Sequence, residues 1–356
     1  MSNSSPNKSE KIESSNAALP PVEVPTAGFI LQLFVIPAVI VAIIAVVWLL
    51  FSWLAHMGSS PEGSIRDLEA GRGNAWQTAY NLANELGQSG NENIKRNGDI
   101  ARRLANLLDS HVQSGENHAG DRRLRMFLCR ALGEFYVADG LPALIRAARS
   151  ERFVEDVDVR RTALEGLAVL AHNLGPETLI ENSDLMLALK EASSERSEIQ
   201  NQQASKTQLR ATSAFTLGVL GGQEALDRLV NLQQDASPNV RFNATTGLAR
   251  HGDGRCIDGL QSMLQSSLDS AAATNNNNLD TQFQQTTVLR TALRAIQQLS
   301  RINSKADLSP LRLAVEKLLE TDINSEVRVR ARETLNSLDQ RKTKSIKAKV
   351  KMETSL

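Results

Sequence analysis

The chain has 356 residues, more than one compact core usually holds and enough for two units or an elongated repeat array. Lysine plus arginine and aspartate plus glutamate both number 40, so the formal net charge is zero. This balance argues against nucleic acid as a partner, since nucleic-acid binding relies on excess positive charge. The two cysteines, Cys129 and Cys256, are far apart and do not make a disulfide framework.

An apolar segment near the N-terminus predicts a membrane anchor. Residues 1–27 have the polar composition of a disordered tail, and residues 28–55 then carry no charge. The 22-residue core 33–54 would form a helix about 33 Å long, which matches a hydrocarbon layer of about 30 Å. A cleaved signal peptide is the alternative, but the apolar run exceeds the usual length of about 7–15 residues.

The orientation of this single-pass anchor is not decided by the flanking charges. Lys8 and Lys11 precede the apolar segment, and Arg66 and Arg72 follow it, so the positive-inside rule gives no direction. The two unpaired cysteines and a short N-terminal tail, which is easily translocated, favour a cytoplasmic location for the rest of the chain.

The composition of residues 56–64 (HMGSSPEGS) predicts a hinge. The pattern of residues 65–338 predicts a helical repeat domain, with long polar breaks at 193–208 and 266–281. Offsets 0, 4, 7, 8 and 11 from each window start form one apolar face of a helix, small at offsets 4 and 7 and aliphatic at offset 8. A weaker unit begins near Ala75, and a second helix follows each window. The six windows start at Leu124, Val159, Leu209, Val240, Val288 and Val327.

Helix-capping residue types recur three residues before four of the windows. They predict that the start of the first helix is repeated together with its buried face. The four residues are Asp121, Asp156, Ser237 and Asn324.

The repeated pattern is V-R-x-x-A-x-x-A-L-x-x-L followed by a second helix, as in VRRTALEGLAVL, LRATSAFTLGVLG and VRVRARETLNSL. It resembles HEAT repeats, especially the bacterial HEAT-like group of the phycobilin lyases, over roughly residues 70–340. The resemblance implies an all-α solenoid of about six to seven helical hairpins with a large concave surface for another chain.

The resemblance also implies a function. We expect a membrane-anchored scaffold that binds a protein partner and has no catalytic activity of its own. The alternative is an accessory enzyme subunit, in the manner of the HEAT-like lyases, that acts on a ligand held by a partner.

Motifs for phosphate loops, dinucleotide binding, nucleophilic serine and zinc are absent from the sequence, and no cofactor or metal is expected. Asp156 and Asp158 superficially resemble a metal-binding pair, but their position at a helix start predicts a structural role. His111 and His118 could approach each other, although no further ligand completes a zinc site.

Arginine recurs at offset 1 of the windows and has two interpretations. The side chains could form an exposed basic ladder for a partner, or they could pair with acids of neighbouring repeats and stabilise the fold. The sequence favours the structural role. The residues are Arg125, Arg160, Arg210, Arg241 and Arg328, with Leu289 in the remaining window.

The C-terminal segment 339–356 predicts a basic tail, in which no acid occurs from residue 340 until Glu353. A solvated, disordered tail is one interpretation. The other is contact with anionic lipid or with an acidic partner, RNA included, since each basic residue near an anionic leaflet contributes up to about 1 kcal/mol. The candidate residues are Arg341, Lys342, Lys344, Lys347, Lys349 and Lys351.

Overall fold

The computed structural model describes residues 27–56, 61–196, 198–273, 279–321 and 323–353. Every regular element within these residues is a helix. The chain divides into two units, Met1–Ser59 and Ser60–Leu356. Apart from its last residue, the predicted disordered tail lies outside the described residues.

Helix α1 (Ala27–His56) forms the regular part of the first unit and contains Pro37. Its segment Leu31–Ser52 is long and apolar enough to cross a bilayer, and none of it is buried within the protein. A helix that is apolar on every side has no single face to pack against a core. The same length and composition also fit an N-terminal signal sequence.

Helix α2 (Pro61–Glu69) begins the second unit and occupies part of the predicted hinge. Ile65 and Leu68 on this helix are buried, and α2 packs against the next helix of the chain. The hinge prediction is therefore wrong for residues 61–64, because two apolar side chains hold them in the helical unit. Residues 57–60 lie outside the described residues.

The second unit continues as helical pairs stacked side by side, which confirms the predicted α-solenoid. A last helix follows six such pairs without a second helix of its own, and a short helix interrupts the first pair. The elements are α3 (Ala75–Gly87), α4 (Glu92–Lys95) and α5 (Gly98–Ser114), α6 (Ala119–Gly133) with α7 (Leu141–Arg149), α8 (Asp156–Leu174) with α9 (Ser183–Ser194), α10 (Gln200–Leu220) with α11 (Gln223–Leu232), α12 (Pro238–Arg250) with α13 (Ile257–Ala273), α14 (Leu279–Ile302) with α15 (Ser309–Leu319), and α16 (Ser325–Glu353).

Helices α3, α6, α8, α10, α12, α14 and α16 pack against one another in that order and form what we call the first-helix row. The predicted apolar face is the face they bury. The aliphatic side chain at offset 8 is fully buried in each first helix from α6 to α14, namely α6, α8, α10, α12 and α14. Leu335 holds this position in α16 and is only half-buried, because α16 ends the row. The fully buried offset-8 residues are Leu132, Leu167, Leu217, Leu248 and Ile296.

Small residues let neighbouring first helices approach closely. Gly166 and Gly247 stand at the predicted offset 7, whereas their partners Gly133 and Gly218 stand at offset 9, which the sequence pattern did not single out. A Cβ built on Gly133 would lie 2.9 Å from the Cα of Gly166, and one built on Gly218 would lie 2.7 Å from the Cα of Gly247. Non-bonded carbons normally pack at about 3.5–4.0 Å, so these contacts exist only because the side chains are absent.

The capping prediction is partly wrong. Asn324 caps α16, since its Oδ1 accepts from the backbone N–H of Val327 at 2.8 Å. Asp121 and Asp156 instead lie within the first turns of their helices. His118 caps α6 in place of Asp121, and its Nδ1 accepts from the Asp121 backbone N–H at 3.0 Å. These two carboxylates are therefore available for contacts between repeats.

The two predicted polar breaks are mostly helical. Helix α10 begins at Gln200, inside the predicted break 193–208, and α13 continues to Ala273, inside the predicted break 266–281. Glutamine and alanine are good helix formers, so these segments extend their helices. Residues 274–278, which include the four consecutive asparagines, lie outside the described residues.

Candidate interaction surface

Arg125 and Asp156 form a buried ion pair between α6 and α8. The Arg125 guanidinium is fully buried, and its Nη1 donates to Asp156 Oδ1 at 2.7 Å. Asp156 Oδ2 accepts from the Ser150 hydroxyl and from the backbone N–H of Phe153, both at 3.1 Å. These partners account for the carboxylate that superficially resembles a metal ligand, so the structural interpretation of Asp156 is confirmed.

The other offset-1 arginines bind carbonyl groups at or just beyond the end of the preceding second helix. These carbonyls lack partners within their own helix, so a guanidinium donor satisfies them. The arginines are buried or half-buried, so the exposed basic ladder is wrong. The predicted pairing with acids holds for Arg125, Arg160 and Arg210. Arg241 and Arg328 bind backbone carbonyls instead. The bonds join Arg160 to Ala148 at 3.0 Å, Arg210 to Glu195 at 3.0 Å, Arg241 to Asp235 at 2.9 Å and Arg328 to Leu319 at 3.1 Å.

Glu195 links two repeats electrostatically. Its carboxylate accepts from Arg160 Nη2 at 2.8 Å and from Lys206 Nζ at 2.7 Å. Burial by itself raises the pKa of Glu195, but the hydrogen bonds from the two cations outweigh this desolvation and lower the pKa to about 2. Burial is also the largest single influence on Asp235 and by itself raises its pKa, but the hydrogen bonds from Arg210 and from the Ser237 backbone, together with the charges of Arg210 and Arg196, lower the pKa overall. Both carboxylates therefore stay ionised at neutral pH.

The histidines and cysteines have structural surroundings. His111 Nδ1 lies 2.6 Å from Asp121 Oδ1, while His118 caps its helix. Within the described residues, no group of three or more histidine, cysteine or acidic side chains is placed to hold a metal ion. Burial raises the pKa of the Cys256 thiol to about 12 and that of Cys129 further still. Both thiols are therefore protonated at neutral pH and poorly nucleophilic.

A groove of about 770 Å³ crosses the first-helix row from α8 to α14. Its lining comes from offsets −1, 2, 3 and 6 of the windows, together with Val288 and with Met263 of α13. These offsets lie on the side of each helix opposite the buried leucines. The remaining lining residues are Arg161, Glu165, Gln208, Ala211, Thr212, Phe215, Asn239, Phe242, Asn243, Thr287 and Thr291.

Hydrogen-bonding groups and aromatic rings meet in this groove. The Asn243 side-chain amide donates to the Ala211 carbonyl at 2.8 Å and keeps its own oxygen as an acceptor. Phe215 is 42% exposed and Phe242 is half-buried. Arg161 pairs with Glu165 at 2.9 Å, so their opposite charges largely offset each other at the α8 side of the groove.

Most aromatic side chains outside α1 lie on the first-helix row rather than in the core. In α3 and α6, Trp76 stacks on Phe127 with 6.5 Å between ring centroids, and Tyr80 meets the same ring edge-on at 5.1 Å. Arg123 covers the Trp76 ring at 5.1 Å. Phe127 holds offset 3, which lines the groove in α10, α12 and α14. Aromatic residues and arginine are the types enriched at the centres of protein interfaces.

The groove residues are a part of the surface that the sequence alone does not reveal. The windows identify the buried face, and the residues between the apolar offsets have the mostly polar composition of ordinary solvent-facing positions. One signal was present: phenylalanine at offset 6 of one window and at offset 2 of the next breaks the polar pattern of that face. In a chain with few aromatic residues, Phe215 and Phe242 on a polar face indicate a binding surface.

The last helix continues beyond Leu338, where the sequence pattern predicts that the repeats end. Helix α16 extends to Glu353 through a segment rich in lysine, a good helix former. Arg341 is half-buried and donates to the Ala306 carbonyl at 2.6 Å, so its side chain packs on the repeats. Burial lowers the pKa of Arg341. The predicted lipid or partner contacts of the five tail lysines fall on side chains outside the described residues.

The HEAT-repeat family model matches residues 199–275, which span α10 to α13. This segment of the chain is made of HEAT repeats. The helical pairs before and after the matched segment bury the same offsets and extend the HEAT-type array along the second unit. HEAT repeats generally serve as scaffolds for protein–protein interaction. No curated protein matches the sequence.

Proposed function

We propose that this HEAT-repeat protein is a membrane-anchored scaffold that binds a partner protein through its first-helix row, without catalysis of its own. The observation that carries the proposal is the groove across α8 to α14, where aromatic rings lie exposed while leucine and alanine fill the core. A solenoid surface of this kind contacts one partner through several repeats at once.

The anchor is supported by the length and composition of α1. Its apolar segment is exposed along its whole length, and burial in a bilayer would remove that surface from water. Carbonate extraction of membranes from expressing cells would test this, together with intact mass measurement of the extracted chain. Retention of the full-length chain supports an anchor. A mature chain that lacks α1 would identify a cleaved signal sequence instead.

We propose a cytoplasmic location for the repeat unit, in accord with the two unpaired and buried cysteines. Protease protection in sealed vesicles of known orientation tests this location. Digestion of the repeats only in cytoplasmic-side-out vesicles is expected, and digestion only in vesicles of the opposite orientation would reverse the assignment.

Site-specific photo-crosslinking tests the binding surface. A photoreactive amino acid placed at Phe242 in the groove should capture a defined partner band in intact cells. The matched control is the same amino acid at Leu313, which is 55% exposed on α15, outside the first-helix row. Crosslinking from Leu313 but not from Phe242 would contradict the assignment of the groove as the binding surface.

A further inference from the structure

The three first helices α10, α12 and α14 have an unusual charge composition. Together they contain seven basic residues and one acid, although the whole chain is neutral. The acid is Asp280, at the start of α14. These helices supply most of the groove lining. The basic residues are Lys206, Arg210, Arg241, Arg250, Arg290, Arg294 and Arg301.

Part of this positive charge is engaged in the fold. Lys206 and Arg210 bind Glu195 and Asp235, and Arg241 binds backbone carbonyls near the same loop. Arg290 pairs with Glu326 at 3.1 Å. The cations at the other end of these helices remain, and among them Arg250 lies closest to the lining aromatics.

Arg250 does not line the groove itself but lies on the ring of Phe215, which does, and no acidic partner for it is found among the described residues. Its guanidinium carbon lies 5.6 Å from the centre of the Phe215 ring. Within the described residues it forms no ion pair, and burial lowers the pKa of Arg250. The C-terminal end of α12 and the face of the ring offset part of this desolvation, as helix dipoles and cation–π contacts do. Neither supplies the bidentate acceptor that a guanidinium binds best.

We propose that the groove receives an acidic segment of a partner protein, with a carboxylate on Arg250 and an adjacent apolar side chain against Phe215 and Phe242. The proposal rests on the function proposed above and adds the chemistry of the partner. A carboxylate would supply the bidentate acceptor that the partly desolvated guanidinium lacks. The apolar side chain would cover rings that are otherwise exposed to water. Asp280 is the one acid on α10, α12 and α14, and Glu165 in the groove is paired with Arg161, so an acidic segment meets little repulsion there.

Peptide selection on the full-length chain in non-ionic detergent tests this proposal. A random phage-displayed library is panned against the wild type, and recovered peptides are synthesised with a fluorescent label. We expect the recovered peptides to be enriched in aspartate or glutamate beside an apolar residue. Arg250→Glu should weaken their binding by about tenfold or more, and Phe215→Ala should weaken it as well.

Charge reversal separates a specific contact from misfolding. A peptide whose acidic residues are replaced by lysine should bind R250E better than it binds the wild type. Two matched controls should leave peptide affinity unchanged: Arg66→Glu on α2, and Phe283→Ala, whose ring is 71% exposed on α14 but does not line the groove.

The outcomes distinguish this proposal from the scaffold function. Peptides that depend on Phe215 but show neither acidic enrichment nor sensitivity to R250E would overturn the acidic partner and leave a protein-binding groove. Recovery of no peptide that depends on Phe215 would also overturn it. A single-stranded RNA that displaces the peptides and binds in an Arg250-dependent manner would replace protein by nucleic acid as the occupant. Failure of crosslinking at Phe242 is the separate result that counts against the scaffold.

Discussion

Replacement of Gly247 by alanine tests the close approach of α10 and α12. From helix propensity alone, this change within α12 should stabilise the protein, since alanine is favoured over glycine by up to about 1 kcal/mol. The structure predicts the opposite sign. A Cβ at position 247 would lie 2.8 Å from the Cα of Gly218 and 2.9 Å from Cδ1 of Leu229.

The magnitude follows from the size of this overlap. Carbon atoms pack at about 3.5–4.0 Å, so the two helices would have to separate by about 1 Å. The nearest atom is backbone, which cannot rotate away as a side chain could. Overpacking of this kind costs about 1–3 kcal/mol, which exceeds the gain in helix propensity. We expect a net loss of about 1 kcal/mol for G247A, and a larger loss for G247V.

Thermal unfolding of the full-length chain in detergent, followed by far-UV circular dichroism, measures the effect. The matched control is Gly87→Ala at the exposed end of α3, where the nearest atom to the new Cβ is 3.9 Å away. G87A should leave the midpoint unchanged or raise it slightly. A midpoint for G247A equal to or above that of the wild type would refute the reasoning, because the glycine contact would then not limit the helix separation.

Four further predictions concern the core, the ion pairs, the anchor and the tail. Leu217→Asp should destabilise the repeats by several kcal/mol, because it places a charge in a packed interface, whereas Leu187→Asp, at a position 43% exposed, should cost little by the same thermal assay. Glu195 has a lowered folded pKa of about 2, so its stabilisation is present above its ordinary pKa and is lost as the pH falls through about 2. The free energy of unfolding should therefore fall less for Glu195→Gln than for the wild type when the pH is lowered from the ordinary pKa of glutamate to about 2. Removal of residues 1–58 should release a soluble helical unit from membranes in fractionation. Deletion of residues 340–356 should weaken salt-sensitive binding of that unit to anionic vesicles.

Each of these expectations has a result that contradicts it. Equal thermal shifts for the two leucine variants would mean that the buried face is wrongly assigned. An acid-unfolding profile for E195Q that equals that of the wild type would show that the ionised Glu195 carboxylate does not stabilise the fold. Sedimentation of the truncated chain with membranes at high salt would exclude a single anchor. Vesicle binding that does not depend on the tail would exclude its contact with lipid.

The buried face of the repeats could be predicted from the sequence, because helical periodicity acts within a single window. Leu167 and Leu248 share an offset, and packing buries that offset in every inner first helix. Helix boundaries were less predictable. The residues from Gln200 onward are polar enough to suggest a loop, yet they form the first turns of α10, since polar composition does not by itself prevent a helix.

The sequence by itself determined the α-solenoid, the buried leucines, the small residues between helices and the apolar segment near the N-terminus. Each of these depends on residues close together in the chain. Only the tertiary structure decided which exposed residues share a surface. Phe215 and Arg250 belong to different repeats, and they meet because α10 and α12 stack in one register, which is set by the glycine contact between them. That register depends on side-chain packing between helices, and no periodicity along the chain encodes it.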